Sequence, residues 1–131
     1  MKKTYLFFKL LLALVCVGFV AAPTAQAAVY FAGDFTGTFF YDNGSSGNFS
    51  GTLYQDDSSI WGDCIDEYGE SSLTGSVSGN SITFIKTYRG DGHRVQYSGD
   101  LIPETNTVKG YWRIDQNNIG KFKMIIRGNQ M

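Results

Sequence analysis

The sequence has few of the residues that cross-link small domains or hold metal ions. Among its 131 residues are two cysteines, two prolines and one histidine, His93. Cys16 lies in an apolar N-terminal segment, so only Cys64 remains beyond it, and no internal disulfide can form there. No cysteine and histidine cluster indicates zinc, and the acidic run 63–70 lacks the alternating spacing of a calcium loop. We therefore expect no bound metal and no cofactor.

Long apolar runs are also scarce, since the sequence has one, near its start. It follows two lysines, extends to about Val20 and is followed by the small residues Ala25-Gln26-Ala27. This layout is typical of a secretory signal peptide, with an uncleaved membrane anchor as the alternative. We predict a signal peptide at residues 1–27, cleaved after Ala27 or Ala28, and one secreted or periplasmic domain at residues 28–131. With no second long apolar run, we expect no membrane association after cleavage.

The predicted domain has an acidic balance and an uneven distribution of charge. Three of the eleven basic residues lie in the predicted signal peptide, so eight remain against twelve acidic residues, a net charge of about −4. This balance argues against a nucleic-acid partner. Acidic residues concentrate at positions 56–70 and basic residues at positions 109–127. The separation indicates either two solvated faces or a self-complementary surface used in assembly.

Glycine, in contrast, is abundant and recurs in a fixed pattern. Six segments place a glycine between two apolar residues with a spacing of two, beginning with the glycines of "FAGDFTGTFF" at residues 31–40. The other five are Phe49-Gly51-Leu53, Ile60-Gly62-Cys64, Leu73-Gly75-Val77, Tyr97-Gly99-Leu101 and Val108-Gly110-Trp112. A period of two predicts strands with the glycines on the apolar face. Such glycines either let strongly coiled strands bend or leave space for a ligand.

The alternation of apolar and polar residues predicts eight strands and no helix in the domain. We place the strands at 30–41, 48–56, 59–66, 71–78, 81–88, 94–102, 107–115 and 121–127. The connectors are short and rich in turn formers, which favours antiparallel neighbours in chain order. We therefore predict an all-β fold, an eight-stranded antiparallel up-and-down β-barrel, with a two-sheet β-sandwich as the alternative.

The predicted strands separate the side chains into two sets. The outward set is polar and rich in threonine and serine, which suits water rather than lipid. The inward set is apolar and includes Cys64 as a small buried hydrophobe. Its members are Phe31, Phe35, Phe39, Phe49, Leu53, Ile60, Cys64, Leu73, Val77, Ile82, Phe84, Val95, Tyr97, Leu101, Val108, Trp112, Phe122, Met124 and Ile126.

Lys86 interrupts the apolar face of the fifth predicted strand, where a charge is unfavourable unless it is solvated or paired. Its ammonium either reaches water at the barrel mouth, or pairs with an acid such as Asp66, or contacts a ligand. Aromatic residues with one polar atom are predicted beside it, and such a combination can orient a ligand. We predict ligand-binding residues Lys86, Tyr88, Tyr97 and Trp112. We expect no enzymatic activity, because His93 has no nucleophilic partner nearby in the sequence.

The segments "LYQDDSSIWG" with "SSLTGSV", and "VQYSGDL" with "VKGYWRI", resemble the early and late strands of avidin/streptavidin- and lipocalin-like meander barrels. The resemblance implies a small apolar or amphipathic ligand inside the barrel. Biotin is not implied, because the chain has only Trp61 and Trp112, and Trp61 falls on the outward face. The alternative function is a protein-interaction or structural module acting through its outer surface, including inhibitor-like roles or self-association.

Overall fold

The computed structural model describes residues 29–127, which form one closed antiparallel barrel of eight strands. The predicted signal peptide at residues 1–27 and its cleavage site lie outside the described residues and stay a prediction. Within residues 29–127, no helix is long and apolar enough to cross a membrane. The strands are β1 (Gly33–Phe40), β2 (Ser46–Asp56), β3 (Ser59–Asp66), β4 (Gly69–Ser78), β5 (Ser81–Tyr88), β6 (Arg94–Ile102), β7 (Thr107–Arg113) and β8 (Ile119–Ile126).

The order of the strands in the sheet is their order in the chain, so the fold is an up-and-down barrel as predicted. Each strand pairs with the next, and β8 returns to pair with β1, from Phe35 opposite Ile126 to Phe40 opposite Lys121. This last pairing leaves no unpaired edge strand. It also excludes the two-sheet sandwich, because all eight strands belong to one closed sheet.

Several strand limits differ from the predicted ones by two or three residues. The first strand begins at Gly33 rather than at residue 30, because Gly33 has φ of +135°, outside the range of an ordinary strand. A Cβ at Gly33 would also overlap the carbonyl of Arg127. The predicted helix-free chain contains one short 3₁₀ turn, Pro103–Thr105, in the connector before β7. Proline suits the first position of such a turn.

The barrel interior holds the predicted apolar set. Seventeen apolar residues are buried there, and Val77 and Leu101 pack against them while partly exposed. Cys64 is buried and free, and burial raises the pKa of its thiol, so it is a core residue rather than a reactive one. Trp61 is exposed on the outer wall, as predicted from its register.

Neighbouring side chains and backbone atoms occupy the space beside the inward glycines. A Cβ at Gly37 would overlap the ring of Phe49, and one at Gly51 would meet the ring of Phe35. At Gly62 and Gly110 it would overlap a backbone carbonyl of the neighbouring strand. The space for a ligand that one interpretation required therefore does not lie beside these glycines, because neighbouring rings and the backbone of the adjacent strand fill it.

The two ends of the barrel differ in construction. We call the end formed by the turns 41–45, 67–68, 89–93 and 114–118 the open end, and the end formed by residues 29–32 and the turns 57–58, 79–80 and 103–106 the closed end. At the closed end Phe31 is 0% exposed. Gln55 holds this segment, accepting a hydrogen bond from the Phe31 N–H at 2.7 Å and donating to the Val29 carbonyl at 3.0 Å.

Candidate functional site

A cleft of about 380 Å³ lies at the open end of the barrel. Six of its lining residues are aromatic: Phe39, Tyr41, Tyr68, Tyr88, Tyr97 and Trp112. They come from the ends of β1, β5 and β7, the start of β6 and two turns. In a meander barrel, every odd-numbered strand ends at the same rim, so residues far apart in the chain converge there.

All four predicted ligand-binding residues line this cleft. Lys86 and Tyr88 lie at the end of β5, Tyr97 near the start of β6 and Trp112 near the end of β7. Phe84 faces Tyr97 and Tyr97 faces Trp112 across adjacent strands. The structure therefore brings the four residues together, while their contact with a ligand stays a prediction.

Lys86 is 2% exposed and forms an ion pair with Asp66, whose carboxylate Oδ2 lies 2.7 Å from Nζ. Of the three interpretations of Lys86, the ion pair with Asp66 is the one the structure shows. The solvated position at the mouth is wrong, because neither charged group reaches water. The pair forms across β4, where Asp66 lies opposite Gly69 and Lys86 opposite Leu73, with the small buried Ser71 between these two positions.

Four aromatic rings surround the Lys86 ammonium. The ring centroids of Phe39, Phe49, Tyr88 and Tyr97 lie 5.1 to 5.6 Å from Nζ. At such distances the negative faces of the rings attract a cation, most strongly where water is excluded. The cage and the ion pair together offset the loss of hydration that burial of the charge entails.

Asp66 accepts three hydrogen bonds, which fix its carboxylate. Oδ2 accepts from Lys86 Nζ and from the Tyr88 hydroxyl at 2.6 Å, and Oδ1 accepts from the backbone N–H of Tyr68 at 2.8 Å. Burial alone would raise the pKa of Asp66, but the bonds from Lys86 and Tyr88 outweigh it and hold the pKa below its usual value. Asp66 therefore stays ionised at neutral pH.

Lys86 also keeps its charge. Burial disfavours the ammonium, but Tyr97 and the Asp66 carboxylate outweigh this effect and raise the pKa of Lys86 above its usual value. A nucleophilic or Schiff-base lysine needs a depressed pKa, so that the free amine is populated. The arrangement instead makes Lys86 a fixed cation that positions the rings around it.

Tyr41, Tyr88 and Tyr97 of the cleft each have a pKa raised above the usual value of a tyrosine. Burial raises the pKa of Tyr97, and burial together with donation to Asp66 raises that of Tyr88. Burial and the hydrogen bond with Tyr68 raise the pKa of Tyr41 to about 12. The Tyr41 and Tyr68 hydroxyls lie 3.2 Å apart, so one donates to the other and leaves one O–H free for a ligand.

Sequence reasoning missed part of the cleft. Phe39 was assigned only to the core, and Tyr41, Tyr68 and His93 were not predicted as site residues, yet all four line the cleft. The His93 ring is stacked on Tyr88, with centroids 6.1 Å apart and an interplanar angle of 22°. The signal that could have found them is topological, because residues following odd-numbered strands of a meander meet at one rim.

Metal chemistry has no support in the part of the chain that the structure describes. No group of three or more histidine, cysteine, aspartate or glutamate side chains in residues 29–127 is placed to hold an ion. His93 and Asp91 meet only through the His93 backbone N–H, which donates to the Asp91 carboxylate at 2.9 Å. This contact shapes the β5–β6 turn.

No protein-family model matches the chain, and no curated protein matches it in sequence. The resemblance to avidin- and lipocalin-like barrels is therefore supported only in architecture, an eight-stranded antiparallel closed meander.

Proposed function

We propose that this protein binds one small amphipathic ligand in the cleft at the open end, without chemistry. The observation that carries the proposal is the cleft itself, about 380 Å³ with six aromatic walls and a fixed ion pair beneath them. This volume lies in the usual range of small-molecule sites, about 300–1,000 Å³, and aromatic walls with few polar groups are typical of such sites. The predicted signal peptide leads us to place this function outside the cytoplasm.

The ligand sits in the mouth rather than along the barrel axis. Below the cleft, Phe84 and Tyr97 are stacked with ring centroids 4.9 Å apart, and Phe122 meets Tyr97 edge-on at 5.0 Å. These rings fill the space that a deeper ligand would occupy. A flat apolar group suits the aromatic walls, and a polar group at its other end would meet the free hydroxyl of the Tyr41–Tyr68 pair.

The two tryptophans offer a direct test, since they report on different places. Trp112 lies in the cleft and donates its indole N–H to the Phe40 carbonyl at 3.1 Å, whereas Trp61 lies on the outer wall. We would titrate the ¹⁵N-labelled domain with the anionic dye 8-anilinonaphthalene-1-sulfonate and the neutral dye Nile red. At least one dye is expected to bind saturably and to shift the Trp112 indole resonance while leaving that of Trp61 in place.

A matched pair of variants locates the binding. Ile114 lines the cleft, and Ile102 is a comparably exposed isoleucine at the closed end. Ile114→Glu is expected to weaken dye binding about tenfold, and Ile102→Glu to leave it unchanged, because only the first places a carboxylate against the negative faces of the aromatic walls. Equal affinity in both variants, or no saturable shift of Trp112 with either dye, would overturn the proposal.

A second candidate function is favoured by the outer wall. Tyr54 and Trp61 lie opposite each other on β2 and β3, stacked with centroids 6.0 Å apart, and are 47% and 46% exposed. Exposed aromatic residues are enriched at protein interfaces. We propose as the alternative that the protein is an interaction module acting through this surface.

A further inference from the structure

The outer wall of β7, β8 and β1 carries a group of unpaired cations that we call the basic face: Lys109, Lys121 and Lys123 with the exposed aromatics Phe40 and Tyr111. Lys121 lies opposite Phe40 on one neighbouring strand and opposite Tyr111 on the other. Lys123 lies directly opposite Lys109. Adjacent strands are about 4.8 Å apart, so these side chains form one continuous patch.

The basic face is electrostatically unfavourable in the isolated barrel. Like charges directly opposite each other on adjacent strands destabilise a sheet, and this applies to Lys109 and Lys123. None of the three lysines forms an ion pair within residues 29–127. Asp100 lies opposite Lys109 on β6, where its carboxylate accepts a hydrogen bond from the Ser81 hydroxyl at 2.6 Å. The apolar rings beside Lys121 add surface that water solvates poorly. The face therefore suits an anionic partner with apolar groups.

The wall formed by β2 and β3 has the complementary composition. On what we call the acidic face, the stacked pair Tyr54 and Trp61 has Asp56 two residues further along β2 and Asp63 two residues further along β3. Because the strands are antiparallel, the two carboxylates lie on opposite sides of the aromatic pair. Arg89 binds Asp63 and Glu70, so this wall is acidic with one internal cation.

We infer that the basic face of one copy docks on the acidic face of a second copy. The lysines would meet Asp56 and Asp63, and an ammonium over the Trp61 ring would add a cation–π contact. The inference names the partner for the second candidate function and is independent of the cleft. The net charge of about −4 predicted for the domain disfavours nucleic acid as the anionic partner.

The two faces occupy different parts of the barrel surface. The lysines of the basic face lie on β7 and β8 and the carboxylates of the acidic face on β2 and β3, two to four strands apart around the closed sheet. A contact between two different surfaces is heterologous, and it continues along a chain of copies unless the rotation between copies closes the assembly. Association should therefore increase as concentration rises.

Sedimentation velocity of the domain at residues 28–131, from micromolar to millimolar concentration, tests this inference. In about 50 mM salt the weight-average sedimentation coefficient is expected to rise with concentration, and in about 500 mM salt to stay at the monomer value, because salt screens exposed charges. The double variant Lys121→Glu/Lys123→Glu and the double variant Asp56→Lys/Asp63→Lys are each expected to lose at least about tenfold in association constant.

Mixing the two variants gives the discriminating result. The first retains the acidic face and the second the basic face, so their mixture should associate although neither does alone. The control Arg94→Glu reverses one exposed charge on β6, outside both faces, and should associate like the wild type. A wild type that stays monomeric throughout, or a mixture that does not associate, would overturn the inference. Heparin binding by a monomeric protein would overturn it while retaining an outer-surface function.

Discussion

The interior of this barrel is filled by different kinds of side chain near its closed end and near its open end. The interior near the closed end is filled by aliphatic side chains and Phe31, with Gln55 satisfying the backbone of the segment that enters it. Near the open end the interior is aromatic and contains the buried Lys86–Asp66 ion pair. The closed end is filled by packed side chains, and the open end leaves a cleft.

The difference between the two ends separates the part that stabilises the barrel from the part that we propose binds a ligand. Apolar packing needs no partner of fixed geometry, whereas a buried ion pair is weak evidence for stability and demands that both partners be present. A barrel maintained only for stability would have no need of Lys86 at an inward position. We interpret the charged open end as the part retained for binding, and the closed end as the part that holds the barrel together.

The largest expected effect comes from breaking the ion pair. Asp66→Asn leaves the Lys86 ammonium buried without a counter-charge, so the free energy of unfolding should fall by about 3–5 kcal/mol in urea denaturation. Asp63→Asn, on the same strand but in an exposed pair with Arg89, should cost less than about 1 kcal/mol. The double variant Asp66→Asn/Lys86→Met should recover part of the loss. Equal costs for Asp66→Asn and Asp63→Asn would contradict this account of the open end.

The next largest effect concerns the closed end. Phe31→Ala removes a fully buried ring and should lower the free energy of unfolding by about 3 kcal/mol, measured in the same way. Its neighbour Tyr30 is exposed, so Tyr30→Ala should change little. Dye binding at the open end should survive Phe31→Ala, because Phe31 lies at the closed end and does not line the cleft. Loss of dye binding in a folded Phe31→Ala protein would remove the distinction between the ends.

The smallest effect is a pH dependence specific to the open end. The pKa of Tyr41 is about 12 in the folded protein and about 10 in the unfolded chain, so the unfolded chain loses its proton first as pH rises. Tyr88 and Tyr97 shift in the same direction. Stability from these groups is fully present below about pH 10 and is lost as pH rises through the folded values.

Absorbance at 295 nm measures this titration. Part of the tyrosinate signal of the folded protein should appear above the midpoint found for the urea-unfolded chain, and Tyr41→Phe should reduce that part. Coincident titration curves for the folded and unfolded protein would show that the open end does not bury its phenols.

The barrel was predictable because each strand is half-buried and keeps its period of two. Inward positions from Phe35 to Ile126 could be assigned from alternation alone, and short turn-rich connectors favoured a meander barrel over the alternative two-sheet sandwich. Lys86, a charged residue on the predicted apolar face of β5, distinguished the open end from the rest of the predicted interior. Tyr88, Tyr97 and Trp112 followed from their position on neighbouring strands and the same face.

The rest depends on contacts that alternation does not encode. The choice of Asp66 as partner for Lys86 depends on Gly69 and Ser71 leaving room across β4, a three-strand arrangement. The burial of Phe31 depends on the segment before β1, which joins the sheet at Gly33, a residue with positive φ. Tyr41, Tyr68 and His93 lie in or beside turns, where no periodicity assigns a direction.

The chain enters and leaves the barrel on the same side. Val29 and Arg127 both lie at the closed end, where the Arg127 N–H donates to the Asp34 carbonyl at 2.6 Å and Val29 is held by Gln55. An affinity tag, a flexible tether or a surface attachment joined directly to Val29 or Arg127 would therefore start from the end opposite the cleft. This polarity makes the barrel suitable for immobilised ligand screens, in which the mouth stays free to meet compounds in solution.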